Sequence, residues 1–391
     1  MTDSRPPHAG GPRLVRRVAD RQCPSIYIAG TGQHSGKTLV SLGLVGTLRD
    51  RGMQVGYMKP VGQRAVQLGE FRVDEDVVLV KSVYDMPYSA RQANPITVPS
   101  GFTTEFVREN KSREPLIESI LEGFAGVSEG ADLVVVEGTG HAGVGSVIGL
   151  SNAKVAGILG SAPVIVTGGG LGRPIDEFAL NRAQFDDEGC RVIGVIANKF
   201  LPEKIDELAP LLAEWLARQG ARLFGVIPYV PVLTELTMRQ IVDEMSAKVV
   251  HGEDQLERRI TKCIIGAEPA HRLLYSLHPG VMAIIPGDRD DLILAAVSCQ
   301  QFAPEVGGKI GICLTSGILP HQSVLRIIGR SNTPVIAIDA GTYQVASEIS
   351  DLVAKMLPSD HEKIAAANRL VRENVDLDEL MKAALEATGA D

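Results

Sequence analysis

A chain of 391 residues exceeds what one ordinary hydrophobic core serves, and a hydrophobic share of 45% is enough to fill two. With 39 basic against 47 acidic side chains, net −8 and no strong basic run, nucleic acid and anionic membranes are poor partners. No apolar stretch reaches membrane-spanning length, residues 1–24 lack the apolar core of a signal peptide, and five scattered cysteines form no C-x-x-C. These features predict a floppy N-terminal tail and a cytoplasmic protein with reduced, buried thiols.

Aromatics are only 4% and glycines number 41, a bias that suits Val/Ile-rich parallel strands joined by tight turns. Residues 25–29 read as a strand, followed by a Gly-rich turn and a helix over 37–51. Residues 54–58 form the next strand. The stripe Leu116, Ile117, Ile120, Leu121, Phe124 predicts a helix over 115–127. Residues 133–136, 163–166 and 192–197 are apolar without alternation, as strands covered on both faces are. Helical patterns over 175–185 and 202–218 separate them.

The style changes near residues 228–231. A polar helix start at Thr237, a short strand at 249–250 and a charged stretch over 253–259 follow. Strands over 281–285, 310–314 and 335–338 then alternate with helices. The expected fold is α/β: a doubly wound parallel sheet, with a second, smaller α/β domain. The expected divisions are a tail at 1–24, domains at 25–233 and 234–358, and an amphipathic helical tail at 359–391. That tail caps a core or a subunit interface, and the first domain is expected to fold alone.

Gly30, Thr31, Gly32, Gln33, His34, Ser35, Gly36, Lys37 and Thr38 lie between a strand and a helix. Glycines let successive N–H groups curl around phosphate, and the helix N-terminus adds positive potential. Lys37 suits the β- and γ-phosphates of a nucleotide and Thr38 suits Mg²⁺. Five residues, not the usual four, separate Gly30 from Gly36. His34 reads either as a phosphate or substrate contact or as a solvent-facing loop residue.

Glu137 ends the strand 133–136, where a metal-linked carboxylate belongs; a solvated strand end is the plainer alternative. The glycines at 138, 140, 143 and 145 imply close approach by some other group. Asp74, Glu75 and Asp76 offer a further metal-associated carboxylate or simply a helix cap. Lys59, ending the second strand, is either a surface lysine or a phosphate contact.

The segments Gly30-Thr31-x4-Gly36-Lys37-Thr38, Lys59-Pro60-Val61, Asp76-Val-Val-Leu, Val136-Glu137-Gly138 and Val195-Ile-Ala-Asn198 resemble the motif series of dethiobiotin synthetase, in the same order. The extra loop residue is characteristic of that family. The resemblance implies ATP as ligand, with Thr38, Asp76 and Glu137 around Mg²⁺. It implies Lys37 and Lys59 on the transferring phosphate and substrate, and Asn198 on adenine; an ordinary strand-end turn residue is the alternative for Asn198, whose place after a central strand favours adenine. It also implies a homodimer. The family's Asp-Thr-Glu-Val is here Gly32-Gln33-His34-Ser35, and its hydroxyl four positions after Lys59 is Gln63. These departures speak against dethiobiotin synthesis itself.

Residues 288–292, Asp-Arg-Asp-Asp-Leu after a strand, are similar to the namesake segment of a DRTGG domain. Pro286-Gly287 reads as an anion cradle or as a plain turn with Asp288 capping the next helix. The two-domain order resembles the N-terminal portion of long phosphotransacetylases and their freestanding relatives. No acetyl-transfer domain follows, so phosphate acetyl transfer by this chain alone is not expected. The leading expectation is an ATP- and Mg²⁺-binding ATPase, or phosphoryl transfer to a carboxylate or carbamate acceptor, regulated by the second domain. The alternative is a non-catalytic nucleotide sensor read by a protein partner.

Overall fold

The computed structural model describes residues 23–32, 34–69, 71–302, 309–353 and 356–389. Most of the expected N-terminal tail, and Gln33 of the loop, therefore lie outside the described residues. The apolar runs form β1 (Ser25–Gly30), β2 (Val55–Met58), β3 (Leu133–Glu137), β4 (Ala162–Thr167), β5 (Gly194–Phe200) and β6 (Arg222–Pro228). They make one sheet in the order β6-β5-β4-β1-β3-β2, every neighbouring pair parallel. Val134, Val135 and Val136 are wholly buried, which explains why β3 shows no polar alternation. The register sets Ile28 of β1 beside Glu137 of β3, so the Gly-rich loop and the acid emerge at the same sheet end.

Helices α1 (Lys37–Asp50), α2 (Glu75–Tyr84), α3 (Glu114–Ser128), α4 (Asn152–Leu159), α5 (Gly172–Asp187) and α6 (Ile205–Arg218) connect these strands. Strand order reverses at β1, the place where ligands enter open α/β sheets.

A second unit, Val230–Lys355, carries its own five-stranded sheet. Its strands are β7 (Lys248–His251), β8 (Lys262–Ile265), β9 (Val281–Pro286), β10 (Gly311–Thr315) and β11 (Val335–Ala337). The order is β7-β11-β10-β9-β8, parallel except for β7, which pairs antiparallel at the edge. α7 (Met238–Met245) begins at a capping box between Thr237 and Gln240. It and α11 (Thr342–Val353) cover one face through Met238, Ile241, Val345 and Ile349. α8 (Ala270–Ser276), α9 (Asp290–Phe302) and α10 (Gln322–Ile328) cover the other.

Two boundaries differ from expectation. The first unit comprises Met1–Tyr229 together with Met356–Asp391, so it closes before Val230 rather than near 233. The segment from 359 is no separate tail: it returns to the first sheet as α12 (His361–Asn374) and α13 (Leu377–Thr388). The reason lies in α1, which is apolar all round and needs cover on the side away from the sheet. Gly43 and Gly46 let α12 approach: a Cβ on Gly43 would stand 2.4 Å from the Val371 side chain, and one on Gly46 2.5 Å from Asn368 Oδ1. Asn368 is held in turn, its Oδ1 accepting from Tyr84 OH at 2.8 Å and its carbonyl from Thr47 Oγ1 at 3.3 Å. Asp376 N–H donates to Phe224 O of β6 at 2.7 Å.

Gly46→Val is expected to wedge α12 away from α1 and cost about 1–3 kcal/mol, as overpacking of a closed contact does. A thermal melt reads it; an unchanged midpoint would mean that the contact is slack.

Candidate functional site

The loop between β1 and α1 is pinned at its root. Gly30 N–H donates to Gly140 O at 3.2 Å and Thr31 N–H to Val166 O at 3.1 Å, tying the loop to the ends of both neighbouring strands. Gly36, at φ +95°, turns the chain into the helix, a conformation glycine adopts without strain. The Lys37 side chain folds back under the loop and donates Nζ to Gly32 O at 3.2 Å. A Cβ on Gly30 would lie 2.3 Å from Ser35 Oγ and 3.0 Å from Lys37 Nζ, so only glycine admits both groups there. Burial lowers the Lys37 pKa; the Glu137 charge opposes this and Lys59 adds to it.

Glu137 closes the site from β3. It is 1% exposed; Oε1 accepts from Thr38 Oγ1 at 2.8 Å and Oε2 from Tyr57 OH at 3.0 Å. Burial, with repulsion from Asp76, pushes its carboxyl up to about 7, against the pull of Lys59, Lys37 and the Thr38 hydroxyl. Burial also pushes Asp76 upward, but Lys59, the Thr38 hydroxyl and the Lys37 charge hold it below its ordinary range.

Lys59 is buried rather than a surface lysine. Its Nζ donates to Asp74 Oδ1 at 2.7 Å and also to Asp76. Burial drives the lysine pKa down, yet Asp76, Asp74 and Glu137 together raise it above its usual value.

Asp74 is wholly buried and has more to do than the sequence discloses. Oδ1 also accepts from Asp76 N–H at 3.1 Å as the cap of α2, while Oδ2 accepts from Gln63 N–H at 3.0 Å and Arg64 N–H at 3.2 Å. Gln63, standing where the resembled family has a hydroxyl, thus contributes its backbone here. The acidic triplet is both a cap and an anchor for Lys59.

On the opposite flank, β5 ends against the loop. Asn198 is 2% exposed; Nδ2 donates to Ser35 O at 3.0 Å and Oδ1 accepts from Lys199 N–H at 2.9 Å. One amide hydrogen therefore serves the loop and one is left over. His34 is exposed at the loop surface with φ +60°.

Residues 24–237 match the AAA domain family (AAA_26) and residues 240–352 match the DRTGG domain. The chain belongs to the AAA domain family. The phosphate acetyltransferase of Synechocystis is 25% identical over 372 residues, covering 91% of this chain and 51% of that protein. That of Pseudomonas aeruginosa is 27% identical over 375 residues, covering 90% and 51%. The chain thus spans about half the length of the curated relatives it matches. The structure of the CBS and DRTGG domains of Clostridium perfringens pyrophosphatase is 20% identical, covers 33% of this chain and 50% of its own, and has a TM-score of 0.26.

Within the AAA domain, Lys37, Thr38, Lys59, Asp76 and Glu137 converge, and Asn198 stands behind the loop. Among the described residues no three His, Cys, Asp or Glu form a ready-made metal cage. Two carboxylates beside a hydroxyl fit Mg²⁺, which takes few protein oxygens and leaves room for phosphate and water. The glycines after Glu137 answer to the chain itself. A Cβ on Gly138 would stand 2.7 Å from Asn152 Oδ1, and one on Gly145 2.1 Å from Leu150 O. Asn152 holds this turn by donating Nδ2 to Thr139 O and His141 O, both at 2.7 Å.

In the DRTGG domain the Pro286-Gly287 segment is a turn. Gly287 N–H donates to Thr315 O at 3.3 Å, and a Cβ there would lie 1.7 Å from Ile318 O. Arg289 is spent on Asp291, with bonds of 2.8 and 2.9 Å. None of the five cysteines forms a disulfide, and no helix among the described residues is long and apolar enough to cross a membrane.

Proposed function

We propose that the AAA domain binds ATP with Mg²⁺ in the 30–38 loop and hydrolyses it, or transfers the γ-phosphoryl group to a carboxylate or carbamate acceptor, under control of the DRTGG domain. The observation that carries this reading is the Thr38–Glu137 bond of 2.8 Å between the first turn of α1 and the end of β3, with Lys37 buried under the loop beside it. Buried cation, hydroxyl and carboxylate meet there at a sheet end open to an anion.

In this reading Thr38, Asp76 and Glu137 hold Mg²⁺, which when bound neutralises charge on the β- and γ-phosphates. Gly32, His34, Ser35 and Gly36 offer backbone N–H groups. Lys37 leaves the Gly32 carbonyl for phosphate oxygen, and Lys59, kept charged by Asp74, faces the transferring group. Tyr57 fixes the Glu137 carboxylate so that little reorganisation accompanies the reaction. Asn198 meets adenine with its remaining amide hydrogen. The working form is a homodimer, by the resemblance to dethiobiotin synthetase.

Lys37→Ala is expected to weaken ATP about 10- to 100-fold, the worth of a charge-assisted hydrogen bond, while the melting temperature holds. Calorimetry and a thermal melt read the two effects. Unchanged ATP affinity would sink the assignment.

A second reading, ATP occupancy sensed without turnover, is favoured by Lys59, two of whose three donors are taken by Asp74 and Asp76. It accords with a chain that spans about half the length of its phosphate acetyltransferase relatives. ATP-dependent stabilisation with phosphate release indistinguishable from buffer would select it.

A further inference from the structure

The end of β5 breaks a rule of extended chains. Successive strand residues point to opposite faces, yet Asn198 and Lys199 both reach the phosphate loop. Asn198 Nδ2 takes the Ser35 carbonyl at 3.0 Å, and Lys199 Nζ takes the preceding His34 carbonyl at 2.8 Å. The break is made at Lys199, whose φ of +57° is a left-handed conformation that disfavours a non-glycine residue. Such strain persists where surroundings over-determine it. Here the turn after β4 does so, because a Cβ on Gly169 would stand 2.6 Å from Lys199 O and 2.7 Å from Phe200 Cα. Gly36 is shaped by the same contact, since a Cβ there would lie 1.9 Å from Asn198 Nδ2.

We propose that Asn198 and Lys199 form a clamp that positions the phosphate loop from behind, with Lys199 a positioning residue for anion binding. This rests on the phosphate-loop reading above and extends it to a lysine outside the loop. In a planar trans peptide the N–H points opposite to the C=O, and no described peptide is cis. Drawing the His34 and Ser35 carbonyls outward onto the clamp therefore turns the Ser35 and Gly36 N–H groups inward, where an anion is cradled. The Lys199 ammonium also adds positive charge behind those donors. Lys199 acts on the phosphates and is indifferent to the base, whereas the second amide hydrogen of Asn198 is kept for adenine.

The test uses the full chain with two probes, Mg²⁺-ATP and inorganic tripolyphosphate, each titrated by calorimetry. Lys199→Met keeps the stem and removes the charge; Lys199→Gly relieves the left-handed backbone and removes the side chain; Lys199→Arg keeps a donor. The first two are expected to weaken both probes by the same factor, about three- to tenfold, and Lys199→Arg to restore most of it. Lys199→Gly melts no lower than Lys199→Met. Loss of ATP alone, with tripolyphosphate unchanged, would overturn the clamp in favour of a base contact. A lowered melting temperature with both affinities intact would overturn it in favour of a structural brace. If Lys37→Ala releases both probes while Lys199→Met changes neither, the clamp falls and the phosphate-loop reading stands. If wild type binds neither probe, both fall together.

Discussion

A chain ending at residue 233 is expected to aggregate, or to remain soluble without a cooperative melt, and to bind no ATP. It lacks α12 and α13, and with them Ile364, Leu370, Val371, Leu377 and Leu380, all buried against the first sheet and α1. Burying each such side chain stabilises by about 1.5–3 kcal/mol, so the five together contribute about 7–15 kcal/mol. That is the whole stability of an ordinary domain, about 5–15 kcal/mol. The loss is therefore not a trimmed end but a removed wall. The companion chain, with residues 230–355 replaced by a flexible Gly/Ser linker, keeps both helices and is expected to fold and bind ATP. Size-exclusion chromatography and thermal melts separate the two; a soluble, cooperatively melting 1–233 chain would overturn the argument.

Glu137→Gln is expected to raise the stability of the metal-free protein at pH 8 while abolishing most turnover. The Glu137 carboxyl is pushed from 4.5 up to about 7, by burial first and by Asp76 second. The folded state therefore binds this proton more tightly than the unfolded chain does. The stability it contributes is fully present below about 4.5 and is lost as pH rises through about 7. Gln does not titrate, so the variant and wild type should melt alike near pH 4.5 and diverge above pH 7. A shift of that size is worth on the order of 3 kcal/mol, or several degrees. Phosphate release should fall about 100-fold or more, because a fixed charge at the reacting phosphate is gone. Opposite signs for stability and turnover mark a residue kept for function at a structural cost. A variant that melts lower at pH 8 with turnover intact would return Glu137 to a purely structural role.

Much of this geometry was legible because it is local. Gly30, Gly36, Lys37 and Thr38 sit within one strand–turn–helix, and Glu137 closes an apolar run whose neighbour is fixed by parallel register. The rest depends on partners far along the chain. Tyr57 meets Glu137 because β2 and β3, distant in sequence, lie side by side, and Lys199 meets His34 because the loop after β1 reaches past β4 to the end of β5. Asp74 showed itself as a cap, while its hold on Lys59 required the turn at 62–64 to fold over it. The glycines at 138 and 145 did announce a close approach, but the approaching groups were Asn152 and Leu150 of the same chain. One overlooked signal was available. Leu39, Val40, Leu42, Leu44, Val45 and Leu48 leave α1 no polar stripe, and a helix with no wet face requires a second cover.

That cover is made late. Thr47 of α1 bonds to Asn368, 321 residues downstream. At a synthesis rate of about 5–20 residues per second, roughly 15–60 seconds pass between the two leaving the ribosome. Throughout that interval the glycine-lined side of α1 is exposed and apolar, while the DRTGG domain, whose segment is contiguous, emerges whole and is free to fold first. The AAA domain is thus completed only after the DRTGG domain. Refolding from denaturant should likewise be limited by this single long closure, since contacts so distant in sequence form slowly.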